Sequence, residues 1–264
     1  MSSNDNRPAS GTSTRKQRRE AARAARKSGK SSPAPGSSGG SSGPSIAIIS
    51  VGAIAIGLVL VVALLVLSGG IGGNEAAAVE EPDSPAPAEE LRDGLVLVAP
   101  GATPPVTVEI FEDVQCPHCQ TFTERVEPLL IAEHVASGTA SLTYRDFVIF
   151  GDDSTDAAVA MRAADVLDGK FWDYHHTLYH NAAEGPFTRT WLADIAESVG
   201  LDRDAFLELL DDDGLREAVA ADSAAGAAAG VSSTPSVLVN GELLVAPTWD
   251  DLDAAIEAAA NAAG

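Results

Sequence analysis

Cys116 and Cys119 are the only two cysteines in 264 residues, and they stand where one hydrophobic period gives way to another. Before them, Pro105 to Phe111 (PVTVEIF) alternates Val106, Val108 and Ile110 with Thr107, Glu109 and Phe111, which predicts a strand with both faces partly covered. After them, QTFTERVEPLLIAEHVASG sets Phe122, Val126, Leu129, Leu130 and Val135 at helical spacing, with Pro128 as a kink and Gly138 as a stop. A strand that turns through Cys116-Pro117-His118-Cys119 into a helix puts Cys116 at the helix N-terminus. Unpaired backbone N–H groups and the helix dipole favour a thiolate there.

Other uses of a CxxC fit less well. As a staple it would close only a four-residue loop, contributing about 2 kcal/mol in the chain-entropy model. A zinc site wants about four ligands, and no second CxxC or suitably spaced Cys/His pair accompanies this one. Covalent haem attachment needs His after the second cysteine, where Gln120 stands. A redox pair is favoured.

Charge divides the chain. Residues 1–45 hold nine Lys/Arg against two acids, a net of +7, while the remainder holds 8 basic against 36 acidic groups, a net of −28. The acidic part argues against nucleic-acid binding, which needs clustered Lys/Arg. Ile46 to Leu67 is a run of 22 residues with one Ser and no charge. At about 1.5 Å per residue it spans about 33 Å as a helix, enough for a bilayer core of about 30 Å. It is longer than a signal-peptide core and starts after 45 residues, so a retained single-pass anchor is expected. The basic tail (1–45) then lies in the cytoplasm by the positive-inside rule, with everything after Leu67 outside it. Tail and linker (68–90, rich in Gly, Pro and Glu) are expected to be disordered and flexible, and the folded domain to occupy 91–264.

Within that domain Ala140 to Phe147 predicts a second strand. Asp152 to Gly230 is mostly helical, with breaks near Gly185-Pro186, Gly200 and Gly214. Val237–Val239 and Leu243–Val245 predict a hairpin through Asn240-Gly241, and Thr248 caps a last helix. His175, His176 and His180 invite a metal reading, since positions 176 and 180 share a helix face, but no third ligand stands beside them in sequence. Packing with Phe171, Trp172, Leu178 and Tyr179 is favoured, and no metal or other cofactor is expected. Asp211-Asp212-Asp213-Gly214 reads as a helix end rather than a calcium loop.

The segment Asp113-Val114-Gln115-Cys116-Pro117-His118-Cys119 resembles the active site of DsbA-type thiol-disulfide oxidoreductases of the thioredoxin superfamily. Gly230 to Gly241 (GVSSTPSVLVNG) resembles that family's cis-proline loop and the strand after it. Gly169 to His175 and Val199 to Asp202 resemble its helical insertion, placed at about 152–230. The resemblance implies an α/β thioredoxin-like fold and an enzyme in which Cys116 is the accessible thiol and Cys119 the buried one. It also implies that His118 stabilises the Cys116 thiolate, Pro117 restricts the turn, and Thr234-Pro235 docks substrate. Thioredoxin-like proteins often carry a buried acid six residues before the first cysteine. Ile110 stands at that position here, with Glu109 and Glu112 nearby. The expected activity is oxidation of dithiols in secreted or cell-envelope proteins. The expected partner is a membrane re-oxidant of DsbB-like or vitamin-K-epoxide-reductase-like type. A reductase, an isomerase and a non-catalytic thioredoxin-like chaperone or ectodomain stay open as alternatives.

Overall fold

A computed structural model of the chain describes residues 79–80, 82 and 86–263. The basic tail, the apolar stretch 46–67 and most of the linker lie outside the described residues. Among the described residues no helix is long and apolar enough to cross a membrane.

The described chain runs through β1 (Arg92–Asp93), β2 (Val96–Leu97), β3 (Val106–Glu112), α1 (Pro117–Arg125), α2 (Glu127–Leu130), β4 (Ala140–Asp146), α3 (Asp152–Asp168) and α4 (Phe171–Asn181). It continues through α5 (Arg189–Ser198), α6 (Arg203–Leu209), α7 (Asp213–Ala228), β5 (Ser236–Val239), β6 (Glu242–Val245) and α8 (Trp249–Ala263). The six strands form one sheet in the order β1-β2-β4-β3-β5-β6. β3 lies parallel to β4, from Val106 opposite Ala140 to Glu112 opposite Asp146. It is antiparallel to β5, with Phe111 opposite Ser236. This is the thioredoxin-like α/β arrangement, with helices α3 to α7 inserted between β4 and β5.

Local signals account for most of these elements. Pro117 opens α1 at a position where its missing N–H costs nothing. Pro128 has no N–H to continue the helix, so α1 ends at Arg125, α2 restarts at Glu127, and Ile131–Val135 makes a wider π-helical turn. The acidic run opens a helix where a helix end was expected: Asp212 is the N-cap of α7, its short carboxylate accepting from the free backbone N–H groups of Gly214 and Leu215. Thr248 and Asp251 cap α8 reciprocally. Asn240 and Gly241 both take positive φ, as the two-residue hairpin turn between β5 and β6 requires. β1 and β2 have two residues each and showed no alternation to read.

β3 is the buried centre of the sheet: Val106, Val108 and Ile110 are fully buried on one face. Phe111, on the opposite face, joins Phe147, Val231 and Leu238 in a cluster against α7. Polar pairs tie the insertion to the sheet edge. Arg162 of α3 donates to Asp146 of β4 at 2.6 Å and to Asp222 of α7, and Arg145 bridges Asp222 to Glu109. Upstream of β1, the side-chain amide of Asn181 at the end of α4 donates to Glu80 O and accepts from Glu80 N, at 2.8 and 2.7 Å. Arg92 reaches both Pro87 O and Asp173 of α4. The chain therefore already touches the domain at Glu80, before the expected boundary at Leu91.

Gly226 sits in α7 where a Cβ would lie 2.8 Å from the Phe111 ring and 2.9 Å from Phe147. Alanine is the better helix former, yet here it must displace two buried rings. Gly226→Ala is expected to destabilise the domain by about 1–3 kcal/mol, seen as a lower Tm; an unchanged or higher Tm would refute the close packing.

Candidate active site

The turn between β3 and α1 is held by one carboxylate. Asp113 Oδ1 accepts from the backbone N–H of Gln115 at 2.9 Å and lies 2.6 Å from Ser154 Oγ. Its Oδ2 accepts from the N–H groups of Ile149 and Phe150 at 2.8 and 3.1 Å. Asp113 O also accepts from Cys116 N at 2.9 Å. Strand end, cysteine turn, the loop after β4 and the first turn of α3 thus share a single buried acceptor. Sequence reading quoted Asp113 within the motif but gave it no role; its acid type immediately after the strand was the available signal.

Cys116 is the N-cap of α1, and both cysteines are free thiols. Cys116 retains 4% of its surface and Cys119 none. The expectation of an exposed Cys116 therefore needs correcting: it is only the less buried of two buried thiols, because the 230–236 loop covers it. Pro117 and His118 are exposed. The Thr234-Pro235 bond is cis, and Cys116 Sγ lies 3.4 Å from Thr234 O, so residues 118 positions apart meet.

The two thiols have opposite acidities. Cys116 is lowered to about 5, chiefly by a hydrogen bond from Cys119, with help from Thr234 and from the backbone N–H groups of Cys119 and His118. His118 thus acts through its main chain. Cys119 is pushed far up, first by burial, then by its bond to Cys116 and by the nearby Glu112 carboxyl. Cys116 is the sulfur that carries negative charge, and Cys119 stays protonated.

β3 also settles which acid stands near the cysteines. Its alternation turns Glu109 outward to Arg145, at 2.8 Å, and Glu112 inward, where it is 1% exposed. Beneath Cys119, Glu112 meets Glu127 of α2 and His175 of α4, their ligand-type atoms all within 4.8 Å of one another. His175 is ringed by Tyr144, Phe171, Trp172 and Tyr179. Of the three histidines on α4, His175 is the one that joins the buried acids, while His180 lies 4.0 Å from the half-exposed Glu124. The pair His176/His180, singled out by spacing, is not part of this cluster.

These features have counterparts in known proteins. A family model described as thioredoxin matches residues 101–258. The chain belongs to the thioredoxin family. A probable disulfide bond formation protein D from Bacillus cereus is 31% identical over 161 residues, 58% of this chain and 73% of the relative. A protein of the same description from Bacillus anthracis is 30% identical over the same span. Among solved structures, oxidised BdbD from Bacillus subtilis is similar with a TM-score of 0.58 at 25% identity, covering 69% of this chain and 100% of that one. A thioredoxin-like oxidoreductase from Silicibacter pomeroyi has a TM-score of 0.55 at 29% identity, covering 63% and 91%.

Alkylation of the reduced protein is expected to rise with pH through a midpoint of about 5, set by Cys116. Because the folded value lies below the unfolded one, the reduced form gains stability as pH rises from about 5 and loses it as pH falls through that value. Thr234→Val removes a polar side chain that favours the thiolate and should move the midpoint up. A midpoint above pH 8 in the parent protein would refute the assignment.

Proposed function

We propose that the chain is a membrane-tethered, extracytoplasmic dithiol oxidase working through Cys116 and Cys119. It is a thiol-disulfide oxidoreductase. The observation that carries the direction of exchange is the placement of Cys116 at the N-terminus of α1 against Thr234, which holds its thiol low, while Cys119 one turn on is fully buried. A stabilised Cys116 thiolate favours the reduced form, so the disulfide is a strong oxidant. The same property makes Cys116 a good leaving group and argues against a reductase.

In the first step a substrate thiolate attacks Cys116 Sγ of the disulfide. The S–S bond breaks, and Cys119 leaves with the electron pair and takes a proton. Glu112, whose own carboxyl is held protonated mainly by burial, is the buried acid that supplies it. A second substrate thiolate then attacks the substrate sulfur of the mixed disulfide and expels the Cys116 thiolate. The substrate is oxidised by two electrons and the protein is left as a dithiol.

Thr234-Pro235 is the substrate-docking loop in this reading. Cys116 lies against Thr234 O, and an extended peptide pairing with that backbone would bring its cysteine to the thiol. Apolar side chains flank the site: Val245 on the strand paired with Ser236, and Ile149 and Phe150 on the loop that Asp113 holds, are all exposed. Such a rim suits unfolded chains of secreted or cell-envelope proteins. The apolar stretch 46–67 and the basic tail before it support the anchor, with the domain outside the cytoplasm. Re-oxidation then falls to a membrane protein of DsbB-like or vitamin-K-epoxide-reductase-like type.

Two measurements test this. Equilibrated with glutathione, the full-length protein should show a Cys116/Cys119 potential well above that of thioredoxin, about −270 mV; a value at or below it would exclude the oxidase. Protease added to intact cells should digest the acidic domain and spare the basic tail, whereas the opposite pattern would reverse the topology.

A further inference from the structure

The buried cluster below Cys119 holds more acid than one proton transfer needs. Glu112 Oε1, Glu127 Oε2 and both ring nitrogens of His175 have no hydrogen-bond partner, and all three side chains are fully buried or nearly so. His175 Nε2 is 3.8 Å from Glu112 Oε2, too long for a hydrogen bond. The titratable groups facing Glu112 are Cys116 and Cys119 from α1, Glu127 from α2, Tyr144 from β4, and His175 and Tyr179 from α4. None is Lys or Arg.

Burial and the neighbouring His176 keep His175 neutral, so it supplies no counter-charge. Two carboxylates in a dry site without a cation cannot both ionise, and they titrate as a pair. Their donor types would also suit a divalent cation, but the imidazole of a metal site almost always holds a second-sphere partner through its other nitrogen, and His175 Nδ1 has none.

We infer that Glu127 is a second proton carrier, sharing one proton with Glu112 after Glu112 has given its own to Cys119. The inference rests on the oxidase reading above. When the disulfide opens, the proton passes from Glu112 to the Cys119 thiolate. The Glu112 carboxylate left behind is then stabilised by the proton still held on Glu127, which burial raises to about 8. On re-oxidation the Cys119 proton returns to Glu112. No net charge beyond one negative unit is left on the pair at any step. Glu127 is thus a positioning residue acting on Cys119 through Glu112.

The test is the pH profile of disulfide opening, followed with the oxidised full-length protein and a reduced two-cysteine peptide. The rate should fall on an alkaline limb where the pair loses the first of its two protons, the one destined for Cys119. Glu127→Gln takes away the acid proton that stabilises the Glu112 carboxylate, so Glu112 becomes the weaker acid: the limb moves to higher pH by about one unit, and opening below it slows by up to about tenfold. Glu127→Asp, which keeps the acid, should restore it. A limb at the same pH in a folded Glu127→Gln protein overturns the inference. So does stoichiometric zinc binding by the parent protein that Glu127→Gln abolishes, which would make the cluster a cation site. Infrared difference spectra of the parent protein give a readout independent of any variant: a protonated-carboxyl band should survive reduction, and loss of every such band overturns the inference. A protein that opens for no peptide at any pH refutes the oxidase reading instead.

Discussion

The Asp113 carboxylate is the constraint on which the active site depends. It accepts from four groups on three segments, the cysteine turn, the 149–150 loop and the start of α3. Backbone N–H groups buried without an acceptor are costly, so this arrangement persists only while all the segments stay in place. The turn at Cys116 is thereby tied to the helical insertion as well as to the sheet. The apolar side chains of Ile149 and Phe150 are held outward as a by-product of their N–H groups being held inward.

Electrostatics then separate two chemically identical thiols. Cys116 gains a helix N-terminus, backbone donors and Thr234; Cys119, one turn on, gains burial and a nearby acid. The α1 break at Pro128 belongs to the same design, because restarting the helix at Glu127 places that side chain in the core with Leu130. A continuous helix would have set the register of these residues differently.

The parts of the fold read correctly from sequence were those with short-range signals: the strand before the cysteines, Cys116 at the N-terminus of α1, the Asn240-Gly241 turn and the Thr248 cap; the Asp212 cap reads in sequence as a helix end, since an acidic run marks either end. The Thr234-Pro235 loop was placed by resemblance, and its contact with Cys116 required the fold. The Glu112–Glu127–His175 cluster was not legible, because its members come from β3, α2 and α4 and no spacing links them. Strand alternation could have separated Glu109 from Glu112, since Glu112 continues the inward series of Val108 and Ile110. For the histidines, helical spacing favoured His176 and His180, whereas the aromatic ring around His175 forms only when α4 packs on Tyr144. The β1–β2 hairpin was too short to show any period.

The Glu80 contact with Asn181 has a geometric consequence for the tether. Asn181 follows His180, whose carbonyl accepts from Gln120 at 3.4 Å on the active-site helix. Twelve residues separate Leu67, the end of the apolar stretch, from Glu80. Fully extended, they and their flanking bonds reach about 40–45 Å. On the anchored reading proposed above, that reach is the most that could separate Glu80, on the flank of the domain near Gln120, from the end of the apolar stretch. An encounter with a re-oxidant of the proposed kind would then be a search over a small disc of membrane rather than through free solution.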